Sequence, residues 1–197
     1  MKNLQKVSLA VILLAAFGAG LWLSLPDASP QASDMQAITL IPTPRALPDV
    51  QLVDKTGAGV GREFFTGRWS MLFMGFTSCG HFCPTKMAEM RMIHDALDKP
   101  LQVVFLSVDP GRDKPEIIRR YVEGFDASFQ GATGSPEVIE QIAGALGAPY
   151  FVDTNPDNYI VDHSSSLFII GPEGRLRGYA TPPLKVSDVV ADLSLLL

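Results

Sequence analysis

Both cysteines of the 197-residue chain lie in one heptapeptide, Ser78-Cys79-Gly80-His81-Phe82-Cys83-Pro84, so each has only the other as a thiol partner within the chain. Two chemistries are open to such a pair, metal ligation and dithiol redox. On a helix, residues four apart have Cβ atoms about 5–6 Å from one another, which suits two thiolates on one metal ion. A disulfide needs about 3.5–4.5 Å and a modest local rearrangement. A purely structural crosslink is the third use, although closing so short a loop constrains the unfolded chain very little. The pair follows an apolar run and precedes a helical pattern. At such a helix entrance, free N–H groups and the positive end of the helix dipole favour thiolate over thiol. A further candidate is His163, in Val161-Asp162-His163-Ser164-Ser165-Ser166, at the end of a loop. Taken alone, a single histidine there is most simply a loop residue satisfied by backbone hydrogen bonds.

The elements that would position these side chains follow from hydrophobic periodicity. Trp69–Phe76 (WSMLFMGF) and Gln102–Val108 (QVVFLSV) are short apolar runs that predict buried strands. Between them Pro84 suits the first turn of a helix, and Met87, Met90, Ile93 and Leu97 then share one face. Lys114–Phe125 and Ser135–Leu146 predict two more helices, with Ser135 as an N-cap. Ser166–Ile170, the turn Gly171-Pro172-Glu173-Gly174 and Leu176–Ala180 predict a hairpin, and Val186–Leu197 a closing helix. The order β-α-β-α-(β)-α-β-β-α calls for an α/β, thioredoxin-like fold, a mixed central sheet flanked by helices. In that layout the strand after His163 neighbours the first apolar strand, which brings its leading loop beside the cysteines.

The N-terminus has a different character. The 19 residues Val7–Leu25 carry no charge, close to the roughly 20 apolar residues that cross a bilayer as a helix. Their length, and Trp22 near the outer end, predict one N-terminal transmembrane helix within 1–26, with Lys2 and Lys6 on the cytoplasmic side. Ala28, Ser29 and Ala32 leave a cleaved signal peptide as the competing reading. Asp27–Pro48 holds four prolines and little periodicity, so 27–47 reads as a linker and 48–197 as the folded domain. At 47% hydrophobic and 19% charged, the chain can bury a core, which excludes a disordered or disulfide-scaffold class. Its net charge of −5 offers nothing to nucleic acid.

The combination FMGFTSCGHFCPT, FLSVDPGRDKPE and VDHSSSLFIIGPEGRL, in this order, resembles the Sco/SenC family. These are membrane-tethered copper proteins that serve assembly of the copper A centre of cytochrome c oxidase. The resemblance runs from about Pro48 to the C-terminus. It implies that Cys79, Cys83 and His163 bind one copper ion per chain, and that the cysteines can also act as a dithiol. It further implies an inner-membrane anchor with the domain in the periplasm. The implied partners are the copper-bearing oxidase subunit and, in addition, other copper chaperones or thiol reductants. The chain departs from the family pattern between the cysteines, where Gly80 and His81 replace proline and aspartate. His81 is then a spare ligand, a modulator of the thiols or a bystander.

The chemistry of the side chains agrees with this resemblance. Two thiolates and an imidazole select copper among biological metals, and an open three-ligand site can release its ion to a partner. Zinc is the competitor, and His81 the only nearby fourth ligand. His94 lies 11 residues beyond Cys83 on the same helix, about 16 Å along its axis. Asp109 and Asp113 read as a loop-ordering and a helix-start carboxylate, and Asp162 as either an orienting partner of His163 or a solvated acid. The other class of function is a thiol:disulfide oxidoreductase, or a peroxide-reducing relative. Against it, thioredoxin-type enzymes place a proline before the strand facing the cysteines, and here His163-Ser164 stands in that place.

Overall fold

The computed structural model describes residues 34–197 apart from residue 156. The 7–25 segment and the start of the linker lie outside the described residues. Among those described, no helix is long and apolar enough to cross a membrane. The elements are β1 (Ile38–Ala46), β2 (Leu52–Asp54), β3 (Gly59–Val60), β4 (Ser70–Gly75), α1 (Phe82–Ala96), β5 (Gln102–Ser107) and α2 (Pro115–Glu123). They continue with β6 (Gln130–Thr133), α3 (Pro136–Leu146), β7 (Tyr150–Asp153), β8 (Ile160–His163), β9 (Leu167–Ile170), β10 (Arg175–Ala180) and α4 (Val186–Leu196).

The two apolar runs form the centre of an eight-stranded sheet of order β1-β10-β9-β4-β5-β6-β2-β3. β4 pairs with β5 in parallel, Phe73 opposite Phe105, and α1 is the crossover that parallel neighbours require. β9 flanks β4 on its other side, the neighbour the sequence leads one to expect; the pair is antiparallel, with Leu72 opposite Phe168. Every residue of β4 is buried, because the sheet is covered on both faces. Met71 and Phe73 point into a cluster with Met87, Met90 and Ile93 of α1, Ile118 and Val122 of α2, and Val189 and Leu193 of α4. Leu72 and Met74 point the other way, against Ile139, Ile142 and Leu146 of α3. Ser135 caps α3 as predicted, its hydroxyl accepting from the Val138 N–H at 3.4 Å. Gly147 closes that helix at φ +69°, a left-handed position that favours glycine.

Two expectations are corrected. Residues 38–46, assigned to the linker by their prolines, form β1 and pair antiparallel with β10. An edge strand tolerates proline where its N–H faces away from the ladder. Here Pro42 and Pro44 fall inside the register shift between Leu40 and Arg45. The start of the strand is held by Asp192 of α4, which is wholly buried and accepts the backbone N–H groups of Gln36, Ala37 and Ile38 at 2.7–3.0 Å. The folded domain therefore begins by Gln36, not near Pro48. The second correction concerns His163, which is not a loop residue but the last residue of β8. That strand pairs only with β7, in a separate two-stranded sheet with Tyr150 opposite His163.

Candidate metal centre

β4 delivers the chain to the cysteines, and two buried groups fix how it leaves the sheet. The Val108 N–H donates to the Gly75 carbonyl at 2.9 Å, extending the parallel pairing by one step. Beyond it, the Thr77 N–H and hydroxyl donate to the Asp113 carboxylate at 2.9 and 2.6 Å, and the Ser107 hydroxyl donates to the same carboxylate at 2.6 Å. Asp113 is thus not a helix-start residue, since Lys114 holds the N-cap position of α2. It ties the loop before Cys79 to the end of β5. Asp109 does order its loop, as the sequence suggests: it is buried, with Arg112 Nε donating to its carboxylate at 2.5 Å and the Tyr159 hydroxyl at 2.6 Å.

Cys83 sits in the first turn of α1, four residues before Met87, so it continues the buried stripe of that helix and is itself fully buried. The close approach needs Gly75, where an added Cβ would lie 3.2 Å from Cys83 Sγ and 2.9 Å from the Phe105 ring. Cys79 is half-buried, and its sulfur accepts the Cys83 N–H at 3.3 Å. It takes the place of a capping side chain at a helix start where His81, the N-cap residue, makes no side-chain cap bond. The sequence led us to expect the helix end to favour thiolate at both cysteines. At Cys83 burial wins instead and pushes the thiol up to about 12; a backbone hydrogen bond from Phe76 opposes this, and Cys79 and Asp113 nearby add to it.

His163 reaches this pair from β8. Its ring is bordered by Phe73, Phe76 and Phe82 at centroid distances of 5.6, 5.8 and 6.3 Å. Nδ1 lies 3.0 Å from the Ser164 carbonyl oxygen, which can only accept, so the proton is on Nδ1 and the Nε2 lone pair is free. That lone pair faces Cys83 Sγ at 3.5 Å. Burial holds the imidazole below the usual 6.5, against the opposing pull of the Ser164 carbonyl and of Asp162. The neutral form is the one that ligates metals. Asp162 is not the orienting group: it is exposed and alternates with His163 along β8, and the backbone carbonyl does its work.

The structure thus brings Cys79, Cys83 and His163 into one string of contacts, with both cysteines free. They are not drawn in around a point: among the described residues no three His, Cys, Asp or Glu side chains form a group that could hold a metal ion as they stand. Cys79 joins the other two through the Cys83 N–H. His81 is exposed and only its carbonyl is engaged, by Thr85. His94 packs edge-on against Phe129, 5.4 Å between centroids. Sequence reasoning missed Arg112 and Tyr159, whose stacking at 3.8 Å joins the SVDPGRD loop to the hairpin carrying His163. No periodic or motif signal linked them.

Comparison with known proteins agrees with this geometry. The SCO1/SenC family profile matches residues 41–197. A protein of Stutzerimonas stutzeri described as a putative copper-binding protein is 37% identical over 161 residues, 79% of each chain. The solution structure of apo Sco1 from Thermus thermophilus superposes with a TM-score of 0.73 at 34% identity, covering 85% of this chain and all of that one. Arabidopsis thaliana ScoI, solved with copper bound, gives 0.69 at 27% identity, over 75% of this chain and 94% of that one. With a mixed sheet, a CxxxC helix start and a histidine-bearing hairpin in one arrangement, this chain belongs to the SCO1/SenC family.

Proposed function

We propose that the chain binds one copper ion through Cys79, Cys83 and His163 and delivers it to the copper-bearing subunit of cytochrome c oxidase, for the copper A centre. The observation that carries this reading is the His163 Nε2 lone pair facing Cys83 Sγ at 3.5 Å, its tautomer set by the Ser164 carbonyl. A dithiol enzyme has no use for a neutral imidazole held there, whereas two sulfurs and one nitrogen are a soft set that suits copper. Three donors leave a position through which a partner can take the ion. The copper-bound relative supports the cargo, and the apolar 7–25 segment supports an inner-membrane anchor with the domain in the periplasm.

A second reading, thiol:disulfide exchange with an exported partner, is favoured by one feature. Cys79 is half-exposed, and the Cys83 N–H donates to its sulfur. Copper analysis of the purified, reduced chain separates the two. One copper per chain is expected, with sulfur-to-copper charge-transfer absorption in the cupric form. Cys79→Ala and Cys83→Ala should each abolish that band. A single mutant that keeps it at full intensity contradicts the two-thiolate site.

A further inference from the structure

The hairpin that carries His163 is held to the rest of the domain by side chains: Tyr150 and Val161 pack against the core, and the His163 ring lies among Phe73, Phe76 and Phe82. As strands β7 and β8 pair with each other, and among the described residues no ladder hydrogen bond ties them to the eight-stranded sheet. Beside that packing, a cleft of about 640 Å³ opens between Tyr150 and Val152 on one side and Ala143 and Gly144 of α3 on the other. At the end where Tyr150 pairs with His163, the Tyr150 hydroxyl donates to the Pro136 carbonyl at 3.2 Å and His163 Nε2 lies 3.5 Å from Cys83 Sγ. At the other end the attachment is Tyr159, the residue just before β8 and four before His163. Its hydroxyl donates to Asp109 at 2.6 Å, and its ring lies 3.8 Å from the Arg112 guanidinium. Arg112 in turn donates to Asp109 and lies 5.8 Å from the ring of Phe76, which borders the imidazole of His163.

We propose that Asp109, Arg112 and Tyr159 form a latch that sets the position of the His163 hairpin, and so govern how tightly copper is held without touching it. The proposal rests on the copper reading above for its consequence, though not for the latch itself. Asp109 is the fixed half: it is buried and sits on the loop leaving β5, against the core. Tyr159 is the half that the hairpin carries. Arg112 joins them by bonding one and stacking on the other, a double use for which its planar guanidinium is suited and a lysine is not. With the latch intact, His163 is presented to Cys83 in one place. With it broken, the hairpin samples others, and copper binding must include the cost of bringing it back. Groups that orient a metal ligand typically govern about 10–100-fold in affinity.

The test uses the full chain with Tyr159→Phe, which removes only the hydroxyl, Tyr159→Ala, which removes the stacking as well, and Arg112→Lys. Copper affinity is measured by competition with a chromophoric chelator. Tyr159→Ala should weaken binding by about tenfold or more, with Tyr159→Phe and Arg112→Lys in between. In a His163→Ala background the same Tyr159→Ala change should cost nothing further, because the latch acts only through that ligand. An equal loss in both backgrounds would overturn the proposal in favour of general damage to the fold, and no loss in either overturns it outright. Amide hydrogen exchange reads the latch without metal. Tyr159→Ala should speed exchange across β7 and β8 and leave β4 and β5 unchanged, and unchanged protection in the hairpin would contradict the latch. A parent chain that binds no copper defeats the copper reading alone, and exchange then still decides the latch.

Discussion

The imidazole of His163 is oriented by a carbonyl at Nδ1 and presents Nε2 to the Cys83 sulfur, while His81 is exposed and makes no cap bond with its side chain. The two histidines should therefore differ in effect. His163→Ala is expected to weaken copper binding at least tenfold, whereas His81→Ala should stay within about twofold of the parent in the same chelator competition. Asp113 makes a separate prediction. Its buried carboxylate accepts from Thr77 and Ser107, and Asp113→Ala leaves those donors unpaired. A loss of about 1.5–3 kcal/mol in denaturant-determined stability is expected, a range typical of hydrogen bonds to charged groups. A midpoint equal to the parent's would show that the loop before Cys79 is held by something else.

At the level of elements, β1 matters most for how the domain is cut from its tether. A fragment beginning at Asp34 keeps the strand and its clamp, whereas one beginning at Pro48 removes β1 and leaves Asp192 buried without the amides of Gln36, Ala37 and Ile38. The shorter fragment should lose more than about 3 kcal/mol and melt well below the longer one. Coincident thermal transitions would contradict the role given to β1. Pro42 and Pro44 disguise this strand as linker in the sequence, since neither can donate to a ladder. β4, β5 and α1 were legible because their apolar runs and the Met87-Met90-Ile93 stripe are dictated by burial on both sheet faces and along one helix face. Cys83 extends that stripe by four residues and is buried with it, which the reading of the helix end as a thiolate-favouring site does not foresee. The hairpin was not: β7 and β8 have four residues each, too few for a period to emerge. Tyr159 and Asp109 meet across 50 positions that no local pattern connects.

For the whole molecule, the proposed arrangement is a copper-binding domain held at a membrane by its N-terminal segment and acting on a second membrane protein. The full chain should remain with the membrane after alkaline extraction, with the domain open to protease only from the outer side; release of an intact domain would mark the segment as a cleaved signal. The central claim, metal delivery rather than dithiol catalysis, turns on the one residue that the two treat differently. His163→Ala removes an imidazole but neither sulfur, so a disulfide between Cys79 and Cys83 can still form and be reduced. The decisive measurement is cytochrome c oxidase assembly in a host carrying this variant at low external copper. Failure of assembly with the dithiol still redox-competent is the predicted result, and normal assembly would contradict the account.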